Sequence, residues 1–244
     1  MNLNSIAEYK VLVVGDAIED RYRHCDILGR GTKEPIISVK FEREEIFRGG
    51  VWAAAAHIKD LCKQVDIWHG NQVTVNIKYV GRYGQKLFSV HESRPCLDHF
   101  QIADPSYYDL VVVFDYGHGF LIKELREKIM SEARYLAVNA QSNSLNYGFN
   151  RINEKWPKAD LAVMDELEAR LAAHDQEAPI EEIISKLPYE KIIVTQGAKG
   201  ATGRDNNGFY REPAHTDRPV DLLGAGDAVL AVVAPFARAG FTIK

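Results

Sequence analysis

Cysteine is scarce in this sequence: Cys25, Cys62 and Cys96 stand singly, with no Cys-x-x-Cys pair. That pattern excludes a disulfide framework and the common structural zinc sites. The eight histidines contain no His-Glu-x-x-His or comparable spacing, so they supply no recognisable metal site of their own. No apolar run is long enough to cross a bilayer as a helix, and Met1 to Lys10 lack the basic start and apolar stretch of a secretory signal. Blocks of lysine and arginine are absent too, and the formal net charge is -4, which leaves no track for a nucleic-acid backbone. There is no Gly-x-x-x-x-Gly-Lys-Ser/Thr loop, and no Gly-x-Gly-x-x-Gly follows the first apolar run. The P-loop and dinucleotide-binding classes are thereby excluded. The expectation is a cytoplasmic protein with neither a nucleic-acid nor a membrane partner.

What is present is the pattern of an α/β domain. Apolar runs at Tyr9–Val14, Asp109–Phe114, Arg134–Val138, Ala159–Met164 and Lys191–Val194 read as strands buried on both faces, with helical stretches between them. With 244 residues and no repeat or low-complexity linker, the prediction is a single domain over 1–244 built on a doubly wound, mostly parallel sheet. Ligands of such sheets gather at the carboxyl ends of the strands. Asp16 and Asp20 lie just after the first run and Asp115 ends the second. Gly49-Gly50 opens an alanine-rich helical stretch from Val51 to Cys62, where close backbone approach and free N–H groups coincide. Residues 34–40 and the alternating runs 73–80 and 86–92, joined by a turn at 81–84, suggest a small β-sheet drawn from about 32–42 and 73–92. The amide-rich loop 140–150 fits either hydrogen bonding to a ligand or satisfaction of its own turns, with the second preferred.

The stretch richest in chemistry is Asp221-Leu222-Leu223-Gly224-Ala225-Gly226-Asp227, with an apolar helical run directly behind it. Two glycines around an alanine allow consecutive N–H groups to turn toward an anion at the positive end of a helix. Asp227 falls in the first turn, where its carboxylate would face that anion and accept a proton from an attacking hydroxyl. The competing use of the same residues is an ordinary loop-to-helix corner, with Asp227 as a cap.

Asp-x-x-Gly-Ala-Gly-Asp resembles the signature of the ribokinase-like (PfkB-type) carbohydrate kinases. Val13-Val14-Gly15-Asp16 with Asp20-Arg21-Tyr22 is similar to the opening of their heptose-phosphate kinase branch. The resemblance implies an ATP- and Mg2+-dependent transfer of the γ-phosphoryl group to a hydroxyl of a sugar or sugar phosphate. Gly224, Ala225 and Gly226 would form the anion hole and Asp227 the base. Asp16, Asp20, Gly49, Gly50 and Asp115 would bind the sugar. Thr195, Gly197 and Gly200, in a Val-Thr-x-Gly-x-x-Gly match, would lie with Asp221 beside the nucleotide. Asp165 and Glu168 match an Asn-x-x-Glu element that helps hold the magnesium, acting through water; the same pair also fits a helix cap. The small sheet would be a lid over the sugar, and its strands imply a homodimer.

The sequence also departs from that family. Ala53 stands where a sugar-contacting Asn is usual, with Trp52 before it, and His118 replaces a Lys in Asp115-Tyr116-Gly117-His118-Gly119. The segment 65–92 is shorter than its counterpart, and relatives run on beyond the position of Lys244. These departures favour a second expectation, a relative that binds sugar or nucleotide with impaired catalysis or is completed by a partner.

Overall fold

The computed structural model describes residues 3–31, 33–71, 73–93, 103–216 and 224–243. Asp221, Cys96 and residue 32 lie outside the described residues. The first half contains α1 (Leu3–Ile6), β1 (Lys10–Gly15), β2 (Ala17–Arg30), β3 (Ile37–Gly50), α2 (Val51–Lys59), β4 (Gln64–Trp68), β5 (Val73–Val80), β6 (Lys86–Glu92) and β7 (Leu110–Asp115). The second half contains α3 (Lys123–Glu132), β8 (Leu136–Ala140), α4 (Ile152–Lys155), β9 (Leu161–Asp165), α5 (Glu166–Ala173), α6 (Ile180–Ser185), β10 (Lys191–Thr195), β11 (Ala201–Asp205), β12 (Gly208–Glu212) and α7 (Ala225–Arg238).

An eight-stranded sheet has the order β12-β11-β10-β9-β8-β7-β1-β4. Its pairs from β10 to β4 are parallel, and β11 and β12 add an antiparallel hairpin at the far edge. Every residue of β7 and β8 is buried, which is why these strands appear in the sequence as unbroken apolar runs. Helices cover both faces. On one side Trp156, Ile129 and Ile183 belong to a core layer, and on the other Val51, Ile58, Leu230 and Ala234 carry α2 and α7 against the sheet. The architecture is therefore doubly wound. Among the described residues no helix is long and apolar enough to cross a membrane.

A second, four-stranded sheet has the order β3-β2-β5-β6. Strand β2 pairs antiparallel with β3 and parallel with β5, and β5 forms an antiparallel hairpin with β6. The hairpin turns where Gly84, at φ 79, donates its N–H to the carbonyl of Gly81. This sheet is larger than the sequence pattern suggests, because β2 starts at Ala17, directly after Asp16.

The two sheets are joined where their backbones cross. Gly50 is the N-cap of α2 at φ 58, and a Cβ there would stand 2.6 Å from the carbonyl oxygen of Asp16. That same carbonyl accepts the N–H of Val51 at 3.2 Å. Only glycine fits both the dihedral and the approach. The consequence is that the end of β3, the end of β1 and the start of α2 meet at one point.

Candidate active site

A cleft of about 660 Å3 opens between the small sheet and the carboxyl ends of the large one. The small sheet contributes Asp20, Arg48 and Asn76, the loops after β7 and β8 contribute Tyr116 and Gln141, and α7 contributes Asp227. The parallel strands of the large sheet all direct their carboxyl ends to this edge.

Asp227 lies in the first turn of α7, behind Gly224, which is left-handed at φ 75. Each of its carboxylate oxygens holds a donor. The Tyr116 hydroxyl donates to Oδ2 and the Gln141 amide to Oδ1, both at 2.9 Å. Burial raises the pKa of Asp227, while the two hydrogen bonds and the charge of His57 pull it down. Tyr116 is itself kept protonated, because burial and then the Asp227 charge push its pKa well up. The phenol therefore stays a donor. Among the described residues, a Cβ at Gly224 or Gly226 would meet nothing within 4 Å. The N–H groups of that first turn have no helical acceptor.

Asp20 lines the cleft and is held by Lys78 Nζ at 2.6 Å and Asn76 Nδ2 at 3.1 Å, both donating to Oδ1. Its Oδ2 is only 2.6 Å from where a Cβ of residue 49 would stand, so Gly49 leaves room for the carboxylate. Asp16 is set behind the cleft wall. Its Oδ2 accepts the N–H groups of Tyr116 and His118 at 3.0 and 3.4 Å, which ties β1 to the loop after β7. Burial, and then the charge of Asp115, push the Asp16 carboxyl up to about 7. Asp115 points toward the core layer under α4: Trp156 Nε1 donates to Oδ2 at 2.8 Å and the Gly117 N–H to Oδ1 at 2.9 Å.

The amide-rich loop serves its own backbone in the main. Asn143 and Asn146 donate to the Tyr116 carbonyl, and Asn150 to that of Asp115. Its start does more, because Gln141 reaches Asp227 while the N–H of Ser142 donates to Glu168 Oε1 at 2.9 Å. Asp165 and Glu168 form a capping box on α5, each side chain accepting the other's N–H at 2.7 and 2.9 Å. Burial pushes Glu168 up to about 7, and the charges of Asp165 and Asp227 add to that. Negative charge is thus gathered beside Asp227 without a compensating cation in the pair. Among the described residues no three His, Cys, Asp or Glu side chains converge closely enough to ligate an ion directly. Both Glu168 oxygens and Asp165 Oδ1 already accept backbone N–H groups, so a cation beside this pair would be held through water.

Thr195, Gly197 and Gly200 stand at the end of β10 and the turn after it, and none of them lines the cleft. Thr195 Oγ1 donates to the Met164 carbonyl at 3.5 Å. A Cβ at Gly200 would lie 1.9 Å from the Glu212 carbonyl oxygen, so packing against β12 requires that glycine. Of the residues singled out from the sequence, Asp20, Gly49, Gly50, Gly224 and Asp227 share the cleft, with Ala225 and Gly226 following in the first turn of α7. Asp16 and Asp115 lie behind it, and Asp221 lies outside the described residues. Tyr116 and Gln141 were missed as partners of Asp227. The available signal was their position, each one residue past the end of a buried strand.

A family model described as pfkB family carbohydrate kinase matches residues 103–240. A D-beta-D-heptose 7-phosphate kinase of Bordetella bronchiseptica is 26% identical over 279 residues, covering 97% of this chain and 87% of that protein. The bifunctional protein HldE of Campylobacter jejuni is 25% identical over 261 residues, covering 92% of this chain. The chain spans only 56% of that bifunctional relative's length. Among solved structures, Arabidopsis thaliana ribokinase complexed with ribose and ATP has a TM-score of 0.70 at 14% identity, covering 96% of this chain and 88% of the other. Ribokinase from Thermotoga maritima has a TM-score of 0.71 at 16% identity, covering 95% and 86%. At such identities the likeness establishes a ribokinase-like fold, a mostly parallel sheet with helices and a smaller second sheet.

Proposed function

Because the chain belongs to the pfkB family of carbohydrate kinases, we propose that it transfers the γ-phosphoryl group of ATP to a hydroxyl of a sugar phosphate resembling heptose 7-phosphate, with Asp227 as the base. The observation that carries this reading is the placement of Asp227 in the cleft, in the first turn of a helix that begins at a left-handed glycine also lining the cleft. The acceptor hydroxyl enters the cleft between the two sheets and hands its proton to Asp227. The N–H groups that follow Gly224 face the transferred phosphoryl group and stabilise its charge. Tyr116 and Gln141 hold the carboxylate in place, so little reorganisation accompanies the proton transfer. Asp20, fixed by Lys78 and Asn76, offers a carboxylate to sugar hydroxyls from the lid side.

Mg2+ would be held through water by Asp165 and Glu168, and when bound it would neutralise phosphate charge. The nucleotide would lie toward Thr195, Gly197 and Gly200, where Gly197 at φ 57 has nothing within 4 Å of a built Cβ. The heptose-like class is favoured by the relatives' names at low identity. A homodimer through the lid is favoured by its exposed apolar residues, Ile37 at 67%, Phe41 at 57% and Ile46 at 54%.

The test is ADP release from Mg-ATP with a panel of sugars and sugar phosphates, for the wild type and Asp227→Asn. Turnover with one member of the panel, reduced about 100-fold or more in the variant, is expected for loss of a general base. Folded protein that turns over none of them would overturn the reading.

A further inference from the structure

Phe47 lies on β3, an edge strand of the small sheet, and lines the cleft with 54% of its surface exposed. Among the described residues of the cleft lining no other large apolar side chain is as exposed, and Leu145, in the loop after β8, comes next. The fold gains little from a phenylalanine so placed, because apolar surface left in water contributes nothing to stability. Its position is nevertheless fixed. Phe47 is the cross-strand partner of Asp20, so the two share one face of the sheet. Its ring meets that of Tyr22 edge to face, with centroids 5.6 Å apart and planes at 84°. Tyr22 is held in turn by Lys78, whose Nζ donates to the Tyr22 hydroxyl at 3.3 Å, lies 4.9 Å from that ring's centroid and pairs with Asp20 at 2.6 Å. One network thus sets both the carboxylate and the aromatic ring beside it.

We infer that Phe47 is a specificity-determining residue for the acceptor: its ring takes the C–H face of a cyclic sugar while Asp20 beside it accepts hydroxyls along that sugar's rim, so the cleft selects a closed ring over an open-chain polyol. The inference rests on the reading of the cleft as the sugar site. A sugar ring is amphipathic. Its hydroxyls project mainly from the rim, and its C–H bonds leave a face that is apolar and faintly positive. The face of an aromatic ring is negative, so the two attract, and stacking removes the apolar surface of both from water. The polar rim then needs a neighbouring acceptor, and Asp20 stands at that place. An open-chain polyol has no persistent face of this kind. It gives up more conformational freedom on binding and gains less from a flat ring. Exposure alone does not mark such a residue: Ile46, next in the strand, is equally exposed and lies outside the cleft lining.

The experiment pairs calorimetric titration with ADP release from Mg-ATP. The ring probes are D-glycero-D-manno-heptose 7-phosphate, D-mannose 6-phosphate and D-fructose 6-phosphate. The open-chain probe is D-mannitol 1-phosphate, which keeps the phosphate and carbon chain of the last two with the ring opened by reduction. The proteins are the wild type, Phe47→Ala, Phe47→Trp and Phe88→Ala, the last changing an exposed phenylalanine of the same sheet that does not line the cleft. Phe47→Ala should bind its best ring probe about tenfold more weakly, the scale of one aromatic contact, and D-mannitol 1-phosphate less than about threefold more weakly. Phe47→Trp should keep wild-type affinity, and its indole emission should shift on saturation with a ring probe by more than that of the wild type. Phe88→Ala should bind as the wild type does. Unchanged affinity in folded Phe47→Ala, or an equal loss for ring and open-chain probes, overturns the inference. So does an equal loss in Phe88→Ala, which would mark a general effect of the lid surface, and so does failure of the folded wild type to bind any ring probe. Binding by the wild type without ADP release sinks the kinase reading alone, and the affinities of the Phe47 variants still decide for or against the platform.

Discussion

The hydroxyl of Tyr116 donates to Oδ2 of Asp227 at 2.9 Å, joining the end of β7 to the first turn of α7 across 111 positions of sequence. That bond stabilises the charged carboxylate against the burial that opposes it, and Gln141 does the same at Oδ1. Removing a donor therefore raises the pKa of Asp227. In Tyr116→Phe, the acid limb of the kcat/KM profile should move to higher pH by about one unit, since hydrogen bonds to charged groups are worth roughly 1.5–3 kcal/mol. Activity lost on the acid side of the profile should return as the pH is raised. A pH–rate profile for wild type, Tyr116→Phe and Gln141→Leu measures this. An acid limb that stays in place while kcat falls equally at every pH would show that Tyr116 does not tune the base.

The unliganded protein should become more stable as the pH is lowered from 8 to about 6.5. Asp16 and Glu168 both have folded pKa values raised from the ordinary carboxyl range to about 7. A raised carboxyl contributes stability that is complete below its unfolded pKa and is lost as pH climbs through the folded one. Both contributions therefore fade between about pH 4 and 8. His118 acts in the opposite sense, because its folded value near 4 lies below the unfolded 6.5, so stability is lost as pH falls from 6.5 toward 4. Above pH 6.5 the two carboxyls act alone, and below it the imidazole offsets part of their gain. Melting temperatures across pH 5–8 without Mg2+ should rise on acidification, gently between pH 8 and 7 and most steeply near pH 6, where the two carboxyls together outweigh the imidazole. Asp16→Asn should flatten most of that slope, since one carboxyl then faces one imidazole of opposite sense.

Much of this arrangement is legible in the sequence, and the physical reason for what is not differs from element to element. Strands β1, β7, β8, β9 and β10 are apolar on both faces, so their periodicity announces a parallel sheet with its ligands at one edge. Strand β2 gives no such signal. Its residues from Ile18 to His24 are all half-buried, and it forms because β3 and β5 supply hydrogen bonds on both sides. Gly224 and Asp227 are readable because left-handed backbone and a first-turn carboxylate have few alternative uses. Gln141 is not, because an amide in a loop of amides is as well suited to a turn as to a carboxylate on a distant helix. The orientation of Asp115 is likewise invisible in one dimension, since it depends on Trp156 lying beneath it.

Asp115 separates a structural role from a sugar-binding one. Its Oδ2 takes the indole N–H of a fully buried Trp156, and its Oδ1 takes the Gly117 N–H. Truncation would leave both donors buried, at about 1–3 kcal/mol for each unpaired group. Asp115→Ala should therefore lower the unfolding free energy by about 3 kcal/mol, read as a lower urea midpoint at constant m. The KM for sugar in the protein that remains folded should change by less than about threefold. A large rise in KM with an unshifted midpoint would place Asp115 on the substrate instead.

Gly226 offers the sharpest separation of folding from chemistry. It lies in the first turn of α7 with no left-handed dihedral, and a Cβ built there meets nothing within 4 Å. Among the described residues, therefore, folding gives no reason for glycine at this place. Alanine in a helix is favoured over glycine by up to about 1 kcal/mol, so Gly226→Ala should leave the melting temperature unchanged or raise it slightly. In the proposed reaction that same empty space is where the phosphoryl group approaches the helix N-terminus, and a methyl group there would hold it off. A loss of kcat of about 100-fold, comparable to removing one donor from an anion hole, is expected in a protein at least as stable as the wild type. Gly224→Ala makes the contrast, because at φ 75 the new side chain strains the backbone and should cost about 1 kcal/mol of stability as well. Full activity in Gly226→Ala would mean that the anion does not approach α7 from this side, and the assignment of its first turn as the anion hole would fall with it.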